Sequence, residues 1–289
     1  MTTHPLQEST LVFIGSGTMA QGIIHALLDS EVSPGQIIAS DPLAEQRRML
    51  QTNYQVRVTD DNSAAVGEAD VVILSVKPQV LPAVLDELHG GIRPDALVLS
   101  IVAGMSISTI SDGLDHPAVV RTMPNTPAQI GEGMTVWTAA PAVSEMQRAQ
   151  ARAILQAMGK EMYVDYPDAL DMATAVSGTG PTYVFLLMEA LVDAAVHLGF
   201  SRREARLLVI QTVLGSVKFA QQSELHLAQL RNMVTSPGGT SAEAIYQMEK
   251  GSLRTVLSKG VWAAYQKSRL LGKRVQEPLE SPLKVDDMD

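Results

Sequence analysis

Small residues stand at the first, third and sixth places of Gly15-Ser16-Gly17-Thr18-Met19-Ala20. That spacing suits a diphosphate: Gly15 allows a tight turn, Gly17 lets the backbone approach closely, and Ala20 lets a following helix pack against a strand. Thr18 and Met19 open that helix, so free N–H groups and the helix dipole would meet the phosphate charge. Asp41 lies about 20 residues beyond the turn, where a carboxylate binds ribose hydroxyls and opposes a 2′-phosphate. Arg47 and Arg48 follow closely and are able to swing toward such a phosphate or to remain on a solvated helix face. The choice between NADH and NADPH stays open on these residues.

Three further segments leave apolar runs at their carboxyl ends, where ligands of open α/β sheets bind. They are Ser75-Val76-Lys77-Pro78, Ala103-Gly104 and Met123-Pro124-Asn125-Thr126-Pro127. Lys77 borders the crevice, although a lone lysine also serves as a plain surface charge. Two prolines stiffen the last loop, and Asn125 has an amide to offer near a nicotinamide.

Two turns in the second half, Val176-Ser177-Gly178-Thr179-Gly180-Pro181 and Thr235-Ser236-Pro237-Gly238-Gly239-Thr240-Ser241, combine hydroxyls with glycines before helical stretches. Ser177, Gly178 and Thr179 in one, with Gly238, Gly239 and Thr240 in the other, would cradle a small carboxylate. Either alone reads equally well as an ordinary helix cap. The six histidines form no HxH or HExxH arrangement, and cysteine is absent, so metal catalysis and thiolate chemistry have no support. Glu189, Asp193 and His197 share one helix face, which is better explained by solvent or a partner than by a metal.

The elements needed to hold these segments are legible. Leu11–Ile14, Ile37–Ala39, Val56–Thr59, Val71–Ser75, Leu97–Ile101 and Val119–Thr122 read as strands separated by helices. They predict a doubly wound, Rossmann-type parallel sheet at the N-terminus. Met134–Thr138 and Glu161–Val164 bracket a helix from Ser144 to Met158 and extend the same sheet. Strand signals stop after Tyr166-Pro167, and the rest is helical. The expected division is 1–167 for the dinucleotide-binding domain, 168–275 for an all-α C-terminal substrate-binding and dimerisation domain, and 276–289 for a disordered acidic tail. The helix after Pro181 and the next one are apolar around most of their circumference. That predicts an intimate homodimer of the helical halves.

Composition removes other classes. A net charge of −9 leaves no basic field for nucleic acid or an anionic membrane. Met1–Thr10 carries no Lys or Arg, and the first apolar run is too short for a signal or a membrane span, so a cytoplasmic location is expected.

Taken in order and spacing, GSGTMA, SVKP, VAG, MPNTP, VSGTGPTYVF and SPGGTS closely resemble pyrroline-5-carboxylate reductase from Leu11 to about Gly272. The resemblance implies NADPH- or NADH-dependent reduction of the cyclic imine 1-pyrroline-5-carboxylate to L-proline, in a dimer or a ring of dimers. It also implies that the hydroxyl on the imine nitrogen is Ser241, where many relatives have Thr. The adenosine-side Asn falls on Asn62 and the substrate-cradling Val on Val234. Ser40-Asp41 departs from many relatives. A protonated imine is already electrophilic, so the reaction needs orientation more than a strong acid or base. Two other readings remain. A β-hydroxyacid dehydrogenase would want a Lys on the first interdomain helix, and Ser177–Leu198 contains none. A non-catalytic dinucleotide-binding redox sensor would keep the glycines of the first turn without needing SPGGTS.

Overall fold

A computed structural model describes residues 5–30 and 32–276. Eight strands, β1 (Leu11–Ile14), β2 (Ile37–Ser40), β3 (Arg57–Thr59), β4 (Val71–Leu74), β5 (Leu97–Ser100), β6 (Val119–Met123), β7 (Gly133–Ala139) and β8 (Gly159–Tyr163), form one sheet in the order β3-β2-β1-β4-β5-β6-β7-β8. Helices α1 (Thr18–Asp29), α2 (Ala44–Tyr54), α3 (Asn62–Gly67), α4 (Leu81–Leu88), α5 (Ile107–Leu114) and α6 (Glu145–Ala157) connect them. The order reverses between β1 and β4, so their carboxyl ends open the crevice expected of a doubly wound sheet.

Every residue of β1, β2, β4 and β5 is buried. The unbroken apolar run Val71–Leu74 is explained by this, because helices cover the sheet on both faces. Phe13, Ile23, Leu27 and Trp137 lie in one apolar layer, and Val12, Ile14, Val72 and Leu85 in the other. Successive residues of β1 thus feed opposite layers, as the pleat requires.

The parallel sheet expected of the first six strands is borne out, and the two strands added to it differ in direction. The sheet is parallel only through β6: β7 pairs antiparallel to β6, and β8 then runs parallel to β7. The connection from β6 holds only a 3-10 turn, Thr126–Ile130, and the left-handed Gly131, with no crossover helix to bring the chain back in parallel.

Beyond the sheet come α7 (Ala169–Ala173), a π-helical turn at Thr174–Gly178, α8 (Gly180–His197), α9 (Arg202–Gln221), α10 (Leu227–Met233), α11 (Thr240–Lys250) and α12 (Leu253–Gln276). The chain separates into two compact units, one of residues up to Thr179 and from Ala264 on, the other Gly180–Ala263. The second unit covers few of its own apolar side chains. No residue of α8 is buried, and α9 buries only Ala205 and Val209. Among the described residues one helical run, Ala169–His197, is long and apolar enough by length and composition to cross a membrane. The expected acidic tail lies outside the described residues beyond Gln276, the last residue of α12.

Candidate active site

Gly15 adopts φ +89°, and a Cβ there would stand 2.8 Å from Val76 Cγ1 and 3.1 Å from the Ser75 carbonyl oxygen. Only glycine satisfies both the backbone and the space. Ser75 seals the same point, its hydroxyl donating to the carbonyls of Ile14 and Gly15 at 3.1 and 2.7 Å. Gly17 differs, because a Cβ on it would meet nothing of the protein within 4 Å. Gly17 is also the N-cap of α1 and makes no side-chain cap, so the N–H groups of Thr18, Met19 and Ala20 lack intrahelical acceptors. Open space before uncapped helical donors fits a dinucleotide diphosphate.

Asp41 follows β2 and is buried, with its carboxylate turned onto the phosphate turn. Its Oδ2 accepts from the Ser16 N–H at 3.0 Å and the Ser16 hydroxyl at 2.7 Å, while Oδ1 accepts from the Leu43 N–H at 2.9 Å. Beside it the hydroxyl of Ser40 is buried without a hydrogen-bond partner. Arg47 donates to the carbonyls of Asp41 and Pro42 and pairs with Asp60 at 2.9 Å. Arg48 is exposed. Asn62 begins α3, where its amide donates to Glu87 at 2.9 Å.

The remaining crevice loops lie where expected. Val76 and Pro78 are half-buried, and Lys77 is exposed, its carbonyl accepting the Val80 and Leu81 N–H groups that start α4. Ala103 and Gly104 form the turn after β5, with Gly104 at φ +77°. Asn125 uses both ends of its amide internally: Oδ1 accepts from the Met134 N–H at 2.9 Å and Nδ2 donates to the Ser177 carbonyl at 3.1 Å. The turns after β1, β2, β4, β5 and β6 therefore share one edge of the sheet.

The two hydroxyl-rich segments prove unlike each other. Val176–Pro181 is no loop opening a helix, since Thr174–Gly178 continues α7 as a π turn. The Thr179 N–H is bonded to the Thr174 carbonyl at 2.8 Å, the Ser177 hydroxyl donates to Ala173 and the Thr179 hydroxyl to Thr174. In the second unit, Gly239 is the N-cap of α11 and no side chain caps the helix. Gly238 sits at φ +71°, and a Cβ on Gly239 would fall 2.4 Å from Ser236 Oγ. Thr240 and Ser241 are thus the first residues of an open helix start, and the Ser241 hydroxyl makes no hydrogen bond among the described residues. Val234 is exposed just before this turn.

Several participants were not anticipated. Ser16 and Ser75 brace the glycine turn, and Arg121 in β6 pairs with Asp171 of α7 at 3.2 Å. Asp171 also accepts from the Ser268 hydroxyl of α12 at 2.9 Å. The lone arginine inside the apolar run of β6 was the available signal. Among the described residues no group of three His, Cys, Asp or Glu side chains is placed to hold a metal, and Asp193 of the polar stripe instead pairs with Arg202 at 3.1 Å.

Comparison with known proteins agrees with this layout. Residues 167–271 match the family described as pyrroline-5-carboxylate reductase dimerisation, and 10–104 match that described as NADP oxidoreductase coenzyme F420-dependent. A pyrroline-5-carboxylate reductase of Synechocystis sp. is 44% identical over 267 residues, covering 91% of this chain and 98% of the relative. The solved structure of a pyrroline-5-carboxylate reductase from Coxiella burnetii superposes with a TM-score of 0.84 at 36% identity, covering 91% of this chain and 98% of that one. The Plasmodium falciparum pyrroline carboxylate reductase, with NADP bound, gives 0.85 at 28% identity over 92% and 99%.

Proposed function

Because the chain belongs to the pyrroline-5-carboxylate reductase family, we propose that it reduces 1-pyrroline-5-carboxylate to L-proline with NADPH or NADH. The reduced nicotinamide, when bound, supplies the hydride. The chain's own residues hold and orient. Gly15, Gly17, Thr18, Met19 and Ala20 receive the diphosphate. Ser40, Asp41 and Asn62 border the adenosine side, and Val76, Lys77, Pro78, Ala103 and Gly104 border the nicotinamide side, with the loop of Asn125 next to them.

On the substrate side, Ser177, Gly178, Thr179, Val234, Gly238, Gly239 and Thr240 line the imine acid, with the helix start of α11 facing its carboxylate. Ser241 hydrogen-bonds the ring nitrogen and fixes the imine carbon for attack. The observation that carries this reading is the uncapped start of α11 with the uncommitted Ser241 hydroxyl. Asp41 argues for NADH, whereas Arg48 is free to meet a 2′-phosphate, so the reading admits both cofactors.

We assign 1–167 to cofactor binding and 168–275 to substrate binding and dimerisation, the exposed faces of α8 and α9 covering a second copy in a dimer or a ring of dimers. A protein partner is favoured over lipid because Glu189, Asp193 and His197 run polar through the last turns of α8. Lack of cysteine and an acidic charge fit a cytoplasmic enzyme that binds neither membrane nor nucleic acid. Incubation with pyrroline-5-carboxylate and each reduced cofactor tests the reading. Loss of cofactor absorbance matched by proline formation is expected, and no proline with either cofactor overturns it.

A further inference from the structure

The sequence itself deprives the Ser177 carbonyl of its α-helical donor. Four residues on stands Pro181, which has no N–H to give. A carbonyl in the middle of a helical run needs a donor from elsewhere. Asn125 supplies it through Nδ2 at 3.1 Å, while Oδ1 takes the Met134 N–H at 2.9 Å. The orientation of the amide follows from its partners, because a backbone N–H only donates and a carbonyl only accepts.

The contact is one of three from a single strand face. Arg121, Met123 and Asn125 alternate along β6 and its extension, so their side chains point to the same side of the sheet. Arg121 pairs with Asp171, and Asp171 is held in turn by Ser268. Met123 packs so closely on Gly178 that a Cβ there would lie 2.7 Å from Met123 Cε. Asn125 completes the row at Ser177. The end of the π turn is therefore fastened at Ser177 and Gly178, and α7 ahead of it at Asp171, to the strand whose loop borders the nicotinamide side, so its last hydroxyl residues are set by that row. A π turn placed in a helix often marks a functional site, and here Asn125 supplies at its end the donor that Pro181 withholds.

We infer that Asn125 is a positioning residue that sets the substrate turn Ser177–Thr179 against the sheet, rather than a ligand of the cofactor. The inference rests on the proposed reduction of pyrroline-5-carboxylate, in which that turn touches substrate. Asn125→Asp isolates the contact, because it keeps an acceptor for Met134 while setting an acceptor against the Ser177 carbonyl. Since displacements of an ångström at a reacting centre cost up to about a hundredfold in rate, the KM for the imine should rise by roughly tenfold or more. NADH affinity, read by fluorescence titration without substrate, should change by less than about twofold, the sign of an intact cofactor site.

Pro181→Ala returns an N–H four residues past Ser177, so Asn125→Asp/Pro181→Ala should recover most of the lost affinity for the imine. A parallel rise in the NADH dissociation constant would make Asn125 a cofactor ligand and overturn the inference. So would unchanged kinetics with only a lower melting temperature, or a folded double variant that recovers nothing. If Asn125→Asp alone does not fold, the double variant decides by the same KM measurement. Failure of the wild-type protein to reduce pyrroline-5-carboxylate would remove the functional reading itself, a result recognisable before any variant is made.

Discussion

The two units bury their apolar residues in opposite ways. In the sheet unit Phe13 is fully buried and each central strand is covered on both faces. In the helical unit Phe185, Leu186 and Leu207 are 62%, 65% and 70% exposed in the single chain. The sheet closes a core within one chain, whereas the helices carry apolar faces that one chain leaves open. A self-sufficient scaffold holds the cofactor turns, and the unit that carries Ser241 depends on assembly for its burial.

The largest effect that tests this contrast comes from charging an open face. An ordinary exposed position tolerates aspartate within about 0.5 kcal/mol. At the proposed interface Leu186→Asp should instead cost about 3–5 kcal/mol, the penalty for an unpaired buried charge, and abolish the dimer in sedimentation at low micromolar concentration. A wild-type protein that is already a stable monomer there would break the comparison.

A smaller effect is expected at the phosphate turn. A Cβ on Gly17 would meet no packed neighbour within 4 Å, so Gly17→Val should leave the fold intact and lower stability only by the loss of a good N-cap residue, about 1 kcal/mol or less. It should weaken both NADH and NADPH by about tenfold or more, because the branch fills the space left for the diphosphate. Calorimetry checks the affinity, and an unchanged value would move the cofactor elsewhere.

The smallest effect concerns α9. Hydrogen bonds from the Ser201 hydroxyl and its N–H hold the Glu204 carboxyl below the usual carboxylate range. Its folded value is lowered, so its stabilisation is complete above the unfolded pKa and is lost as pH falls through the folded one. Glu204→Gln keeps the cap's acceptor and should flatten that slight acid dependence of the melting temperature. An equally steep profile in the variant would assign the dependence to other groups.

Most of the sheet was legible, because unbroken apolar runs such as Val71–Leu74 report burial directly. Strand direction is not written in such runs, so the antiparallel β7 was invisible. The glycine turn was legible through its spacing and its place between strand and helix. The role of Asp41 was less so, because its bonds to Ser16 join residues far apart in sequence. The π turn was missed for a related reason: glycine and hydroxyl residues signal a loop locally, while Asn125, Met123 and Arg121 impose helical continuity from a distant strand.

Ser241 either does chemistry or merely supports a helix, and one variant separates the two roles. Gly239, not Ser241, caps α11, so Ser241→Ala should leave the melting temperature nearly unchanged. Loss of an oriented hydrogen bond to the ring nitrogen costs roughly 2–4 kcal/mol of transition-state stabilisation, so kcat should fall about 30- to 1,000-fold. NADH affinity should stay near wild type, and Ser241→Thr should keep most activity. The decisive measurement is kcat and melting temperature on the same Ser241→Ala protein. A large loss of turnover at unchanged melting temperature is the predicted result, and wild-type turnover with a lowered melting temperature would contradict the account.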